Sequence, residues 1–147
     1  MHFAIEVVTV EDITPEQQAE LDKLNQECFG DVEDIEIQEN FIAEPFAYLF
    51  AFIGKEIISR LALYKREIVF SNQKMLVGGI GGVCVTSAHR HHGVASSMLK
   101  RALLILKDEK CDLACLNVDL DKKIYSIYEK LGFKMMDRDI SFENVRG

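Results

Sequence analysis

A chain of 147 residues and 16.7 kDa has the length of one domain, and a fold of that mass buries about two-thirds of the surface its unfolded chain exposes, so its core needs neither disulfide nor metal staples. With 48% hydrophobic and 28% charged residues the composition excludes disordered and fibrous classes. A net charge of −7 repels phosphate chains, which argues against a general nucleic-acid binder and suits a cationic partner.

Phe46 to Ile53 is the longest purely apolar run, far short of the roughly 18 residues a membrane span needs. The opening MHFAIEVVTVEDI has no basic segment leading into an apolar one, so no secretory signal and no membrane partner are expected. Cys28, Cys84, Cys111 and Cys115 form no CxxC pair, and Cys111 and Cys115 are spaced for one helix face or a helix–strand junction. Free thiols in a cytoplasmic protein follow as the expectation.

In chain order, His2 to Val8 reads as a first strand. Thr14-Pro15-Glu16-Gln17 is a capping box with proline at the first helical position, Leu21, Leu24 and Cys28 recur at helical spacing, and Gly30 stands near the stop. The stretch from Asp31 to Glu44 is acidic, either a solvated helix or loop or a rim that attracts a positive substrate. Phe46 to Ile53 is a strand, Gly54-Lys55 a two-residue hairpin turn and Ile57 to Phe70 a long strand. Ser71 to Lys74 is the next turn and Met75 to Thr86 the following strand, which makes an antiparallel meander.

The period then changes. From Val94 to Lys107 the apolar positions fall on one broad helical face: Val94, Met98 and Ala102, with Ala95, Leu99, Leu103 and Leu106 beside them. Asp112 to Val118 is a short strand, and Asp121 can cap a second helix whose stripe is Ile124, Ile127, Tyr128 and Leu131, with Gly132 at its C′ position. Phe133 to Asp137 and Ile140 to Asn144 can be final strands. The class is α+β: a mostly antiparallel, mixed sheet flanked by helices, with Met75–Thr86 and Asp112–Val118 as a central parallel pair.

The most informative stretch runs from Val83 to Ser96: a strand ends, a short basic loop follows, and a helix begins at or just after Gly93. The first turn of a helix carries N–H groups with no intrahelical partner and the positive end of its dipole, an anion site suited to a diphosphate. Gly93 allows close approach, Ala95 avoids a clash, Ser96 offers a hydroxyl, and Arg90 adds fixed positive charge. Gly78-Gly79-Ile80-Gly81-Gly82 fits no nucleotide loop: Cys84 stands where GxGxxG needs glycine, and no GxxxxGK[ST] occurs. Glycines within a strand mark a bulge or the close approach of other atoms. His89, His91 and His92 lack a second ligand cluster at metal spacing, so a plain loop without a metal is the reading.

Arg90-His91-His92-Gly93-Val94-Ala95 resembles the [R/Q]-x-x-G-x-[G/A] signature of the GNAT superfamily of CoA-dependent N-acyltransferases. Val83-Cys84-Val85 resembles the end of that fold's fourth strand, and Tyr128-Glu129-Lys130-Leu131-Gly132-Phe133 its YEKLGF segment; the element order is similar from His2 to Asn144. The Val77–Val85 strand is also somewhat similar to that of aminoglycoside 2′-N-acetyltransferases.

The resemblance implies a single N-acetyltransferase domain over residues 1–147, with its fourth and fifth strands splayed at the CoA site. Acetyl-CoA would be the co-substrate, its pantetheine arm pairing with the backbone of Val83, Cys84 and Val85 and its pyrophosphate resting on the amides of Arg90, His91, His92, Gly93, Val94 and Ala95, with Ser96 beside them. Tyr128 takes the position of the general acid for the CoA thiolate, a phenol still protonated at neutral pH; it also lies on the apolar stripe as a core residue would. Asn117 is placed to hold the acyl carbonyl or a pantetheine amide, or is an ordinary polar strand end. A strand N–H near Val83 or Val85 would face the developing oxyanion. Three positions depart from the family pattern: His91 replaces a common glycine, Asp121 an asparagine and Ile124 an alanine. The general base is unassigned among Asp119, Glu44 and water. The implied activity is transfer of acetyl from acetyl-CoA to a primary amine of a small cationic acceptor. The alternatives are a longer acyl donor, a peptide acceptor, or a non-catalytic acyl-CoA-binding module. A homodimer is common among similar proteins.

Overall fold

The computed structural model describes residues 2–30, 44–116 and 129–132. The elements are β1 (Ala4–Thr9), a 3-10 turn (Val10–Asp12), α1 (Pro15–Phe29), β2 (Ala47–Ile53), β3 (Glu56–Phe70), β4 (Gln73–Val85), a second 3-10 turn (Ser87–His89), α2 (Val94–Asp108) and β5 (Leu113–Leu116). Among the described residues the strands form one sheet in the order β1-β2-β3-β4-β5. Successive pairs are antiparallel as far as β4, and β4 then pairs parallel with β5 from Val77 opposite Leu113 to Ile80 opposite Leu116. This is the expected α+β meander followed by a helix and a parallel strand.

Both faces of the sheet are covered, which explains why β2 reads as an almost unbroken apolar run instead of alternating with polar residues. Leu49 and Ala51 join the core beneath α2 with Ile58, Leu61, Leu63, Ile80, Met98 and Leu99. Phe50, from the intervening register, packs with Leu21 and Leu24 of α1. Its ring stacks on Tyr48 at 5.7 Å and meets Phe52 edge-on at 6.0 Å. The α1 stripe predicted from spacing is therefore the buried one. The helix opens as its sequence demands: Thr14 accepts from the Gln17 N–H at 3.1 Å while the Gln17 side chain accepts from the Thr14 N–H at 3.1 Å.

Most element boundaries shift by one or two residues from the sequence reading. The first strand is Ala4–Thr9 instead of His2–Val8. The turn expected over four residues is only Ser71-Asn72, both with positive φ (50° and 63°), so Gln73 and Lys74 belong to β4. A two-residue turn of that hand matches the twist of its flanking strands, and asparagine tolerates it. Leu113 to Leu116 falls within the expected Asp112–Val118 strand; Asp112 precedes it, exchanging hydrogen bonds with the backbone of Leu76 (2.7 and 2.9 Å) and so pinning the start of β5 to β4. Of the predicted second helix only Glu129 and Lys130 are described as helical, followed by Gly132 at φ 99°; the final strands lie outside the described residues.

The glycines of β4 serve geometry. A Cβ on Gly78 would lie 2.8 Å from a Leu106 methyl, so α2 settles directly on the strand there. Gly82 has φ 61° at a register shift, where Arg60 opposes Cys84 but Ala62 opposes Gly81. One residue of β3 thus faces two of β4, a bulge whose left-handed position a glycine fills.

Candidate active site

The bulge sets the backbone at the end of β4. Thr86 N–H donates to Ile58 O at 2.8 Å, and Cys84 O accepts from the Ser59 hydroxyl at 2.7 Å. Residues 84 and 86 therefore turn their backbone groups to β3, and strand alternation turns those of Val83 and Val85 to the opposite edge. The described pairing with β5 stops at Ile80, before the bulge. Val83 packs against the α2 core, and Val85 is buried in it. The Val85 carbonyl is already engaged: Arg90 Nε donates to it at 2.9 Å and the Cys28 thiol at 3.8 Å. Arg90 thus anchors the loop to the strand in addition to supplying charge.

Between β4 and α2 the chain makes the Ser87–His89 turn, closed by His89 N–H on Thr86 O at 3.0 Å, then runs through exposed Arg90, His91, His92 and Gly93. His91 (φ 66°) and Gly93 (φ 79°, ψ 9°) are both left-handed. Gly93 caps α2 with no side-chain partner, and Ser97 N–H to Gly93 O, at 3.0 Å, is the first bond of the helix. The amides of Val94, Ala95 and Ser96 precede that bond and have no acceptor within the helix. A left-handed residue followed by helical ones turns consecutive N–H groups to one side, the concave arrangement that holds anions. The side chains of Val94 and Ala95 are buried, which fixes the helix end against the sheet, and Ser96 is half-buried.

Helix α1 closes the other side. Glu27 spans to the loop, its Oε1 accepting from the Thr86 hydroxyl at 2.8 Å and its Oε2 from the Ser87 N–H at 2.7 Å. The Ser87 amide first, then the Thr86 hydroxyl and the nearby Arg90 charge, hold its carboxyl below the usual value of 4.5. Cys28 and Cys84 meet across the same seam: a hydrogen bond from the Cys84 thiol lowers the Cys28 pKa, while that bond and burial push Cys84 up. Both are free thiols, as are Cys111 and Cys115. Cys111 and Cys115 lie at the α2–β5 junction, one of the two places their spacing allowed, and burial pushes Cys115 up to about 12.

The structure therefore brings Val83, Cys84, Val85 and the Arg90–Ser96 segment to one end of β4. Asn117 and Tyr128, with Asp119, Asp121, Ile124 and the acidic segment before Glu44, lie outside the described residues. Glu44 is exposed. Among the described residues no three His, Cys, Asp or Glu side chains converge as a metal site would require, and no helix is long and apolar enough to cross a membrane. Two residues of the site escaped the sequence reading. Glu27 follows a solvent-facing position of α1 and carries no local signal. Arg60 carries one: it is a charge amid the apolar run of β3 (Ile57, Ile58, Leu61, Ala62, Leu63).

A family model described as "Acetyltransferase (GNAT) domain" matches residues 9–136. The chain is 28% identical over 139 residues to the aminoglycoside N(6')-acetyltransferase type 1 of Acinetobacter haemolyticus, covering 89% of this chain and 96% of that protein. The relative carries the 6′ designation, not the 2′ of the enzymes that the Val77–Val85 strand somewhat resembles. Among solved structures, a transcriptional regulator from Bacillus halodurans C-125 superposes with TM-score 0.70 at 24% identity, over 95% of this chain and 98% of that one. A predicted acetyltransferase from Clostridium acetobutylicum, solved with acetyl-CoA, superposes with TM-score 0.67 at 18% identity over 95% of each chain. These likenesses establish the fold, and with the family match over most of the sequence the chain belongs to the GNAT acetyltransferase family, as an N-acetyltransferase whose acyl donor is acetyl-CoA.

Proposed function

We propose that this enzyme transfers acetyl from acetyl-CoA directly to a primary amine of a small, cationic, aminoglycoside-like acceptor. The observation that carries the donor side is the left-handed Gly93 cap with the amides of Val94, Ala95 and Ser96 behind it. A diphosphate accepting several of these N–H groups would be held by backbone geometry alone, with Arg90 fixed beside it through Val85 O. The pantetheine arm would run along the edge of β4 at Val83 to Val85 that faces away from β3, its amides pairing as an added strand does with the groups there other than the Val85 carbonyl, which Arg90 holds. Asn117 would steady an amide or the acyl carbonyl.

The reaction needs a neutral amine, a polarised carbonyl and a thiolate that can leave. Attack of the amine nitrogen on the thioester carbon puts negative charge on the carbonyl oxygen, which a β4 amide at the bulge would stabilise. Collapse expels the CoA sulfur as the carbon–sulfur bond breaks; Tyr128 would give that sulfur its proton, and the amine proton would pass to water or a carboxylate.

Two features support a cationic acceptor. The shallow cleft between α1 and the start of β3 is lined by the carboxylates of Glu20, Glu27 and Glu56 against the single cation Lys23, and the chain is similar to an enzyme named for an aminoglycoside. The free thiols fit the reducing cytoplasm. Free-thiol release with acetyl-CoA across small amines, aminoglycosides and peptides tests the proposal: turnover is expected with a small polyamine or aminoglycoside, and Tyr128→Phe should lower it while leaving CoA affinity intact. CoA binding with no turnover on any amine would return the non-catalytic reading.

A further inference from the structure

The described residues hold one half-buried cation that the donor site does not use. Arg60 points from β3 to the α1 side of the sheet, where its guanidinium carbon lies 5.3 Å from the Tyr48 ring centre and 5.9 Å from that of Phe29. Its Nη1 donates to Asn25 Oδ1 at 3.1 Å. Its Nη2 lies over Gly82, so close that a Cβ there would meet it at 2.6 Å. Buried Nε has no hydrogen-bond partner, and no carboxylate pairs with the group among the described residues. Four elements, α1, β2, β3 and the bulge of β4, thus cooperate to hold one guanidinium at the point of the sheet where the acetyl group would be delivered.

Stability does not account for this. The two rings and Asn25 offset part of the cost of burying the charge, but no counter-ion does so among the described residues, and an apolar side chain of the same volume would fill the space at less cost. What the arrangement offers is a fixed donor edge beside the reaction centre.

We propose, building on the acetyl-transfer reading above, that Arg60 is a specificity-determining residue of the acceptor site: the Nη N–H groups it does not spend on Asn25 take a hydrogen-bond-accepting oxygen of the acceptor next to the reacting amine. The favoured acceptors are then amines flanked by hydroxyl or carboxylate oxygen, ahead of plain alkyl polyamines, with further ammonium groups of the acceptor directed to the carboxylate-lined cleft.

The test compares glucosamine (hydroxyls beside the amine), alanine (a carboxylate) and spermidine (neither), each with acetyl-CoA and read by thiol release, in the wild type, Arg60→Met and Arg60→Lys. Wild type should turn over glucosamine or alanine with kcat/KM at least tenfold above spermidine, and the better of the two identifies the oxygen. Arg60→Met should lower turnover of glucosamine or alanine more than that of spermidine and so remove that margin, while the KM for acetyl-CoA stays within twofold; Arg60→Lys should recover part of it. If Arg60→Met does not fold, the wild-type ranking and the Lys variant still decide. Spermidine as the best wild-type acceptor, or equal losses on all three in either variant, overturns the proposal. No thiol release from wild type with any amine overturns the acetyl-transfer reading itself, and this inference with it.

Discussion

His91 shows how one residue can be both departure and clue. The family pattern commonly has glycine there, and the structure gives the reason: φ is 66°, a left-handed conformation that costs a side chain about 1 kcal/mol or more. Replacing it with glycine relieves that strain and adds back about 0.5–1 kcal/mol of unfolded-chain entropy. His91→Gly should therefore leave Tm unchanged or slightly raised. His91→Val, branched at Cβ, should lower stability by about 1–2 kcal/mol. A marked loss of Tm in the glycine variant would show that the imidazole has a structural role. The loop proposed to hold the diphosphate was legible in sequence because backbone geometry defines it, and Gly93 announces the left-handed cap. Arg60 and Glu27 were not, since their partners lie far along the chain: Glu27 meets Ser87 across 60 positions and Arg60 meets Asn25 across 35.

At the scale of elements, local chemistry was read well and cross-strand detail poorly. The Thr14 box, the α2 stripe and the Gly93 cap involve neighbours within four residues, so spacing suffices. The Ser71-Asn72 turn needs both residues left-handed, and a polar tetrapeptide does not say which two turn. The β4 bulge needs a partner strand to define it, although the run of glycines marked the place. The contact between α1 and the donor loop makes a prediction of its own. Because the Glu27 carboxyl titrates below its ordinary 4.5 in the folded protein, its contribution is complete above that value and is lost as pH falls through the depressed one. The Tm difference between wild type and Glu27→Gln should be constant near neutrality and shrink below about pH 4.5. At neutral pH the variant should show a severalfold higher KM for acetyl-CoA, because Thr86 and Ser87 lose their anchor. A Tm difference that grows on acidification, or an unchanged KM, would mean that Glu27 does not hold the loop.

The whole molecule divides its labour across the sheet. On one face, α2 buries Met98, Leu99, Ala102 and Leu106 against the strands, which fixes its N-terminus at the end of β4. On the other, α1 covers Phe50, Ile57 and Cys84 and brings Glu27, Asn25 and Phe29 to the same end. In the proposed mode an acidic chain would bind an anionic donor through the helix amides, the dipole and Arg90, placed where the Glu27 carboxylate of the α1 cleft is turned aside to Thr86 and Ser87. These amides are proposed to hold a diphosphate. Calorimetric titration of the folded protein with CoA and, separately, with pantetheine, which shares the arm but lacks the diphosphate, tests it most directly. CoA should bind at least tenfold more tightly than pantetheine, since two or more charge-assisted bonds are each worth about 1.5–3 kcal/mol. No heat from CoA, or equal affinity for the two, would contradict it.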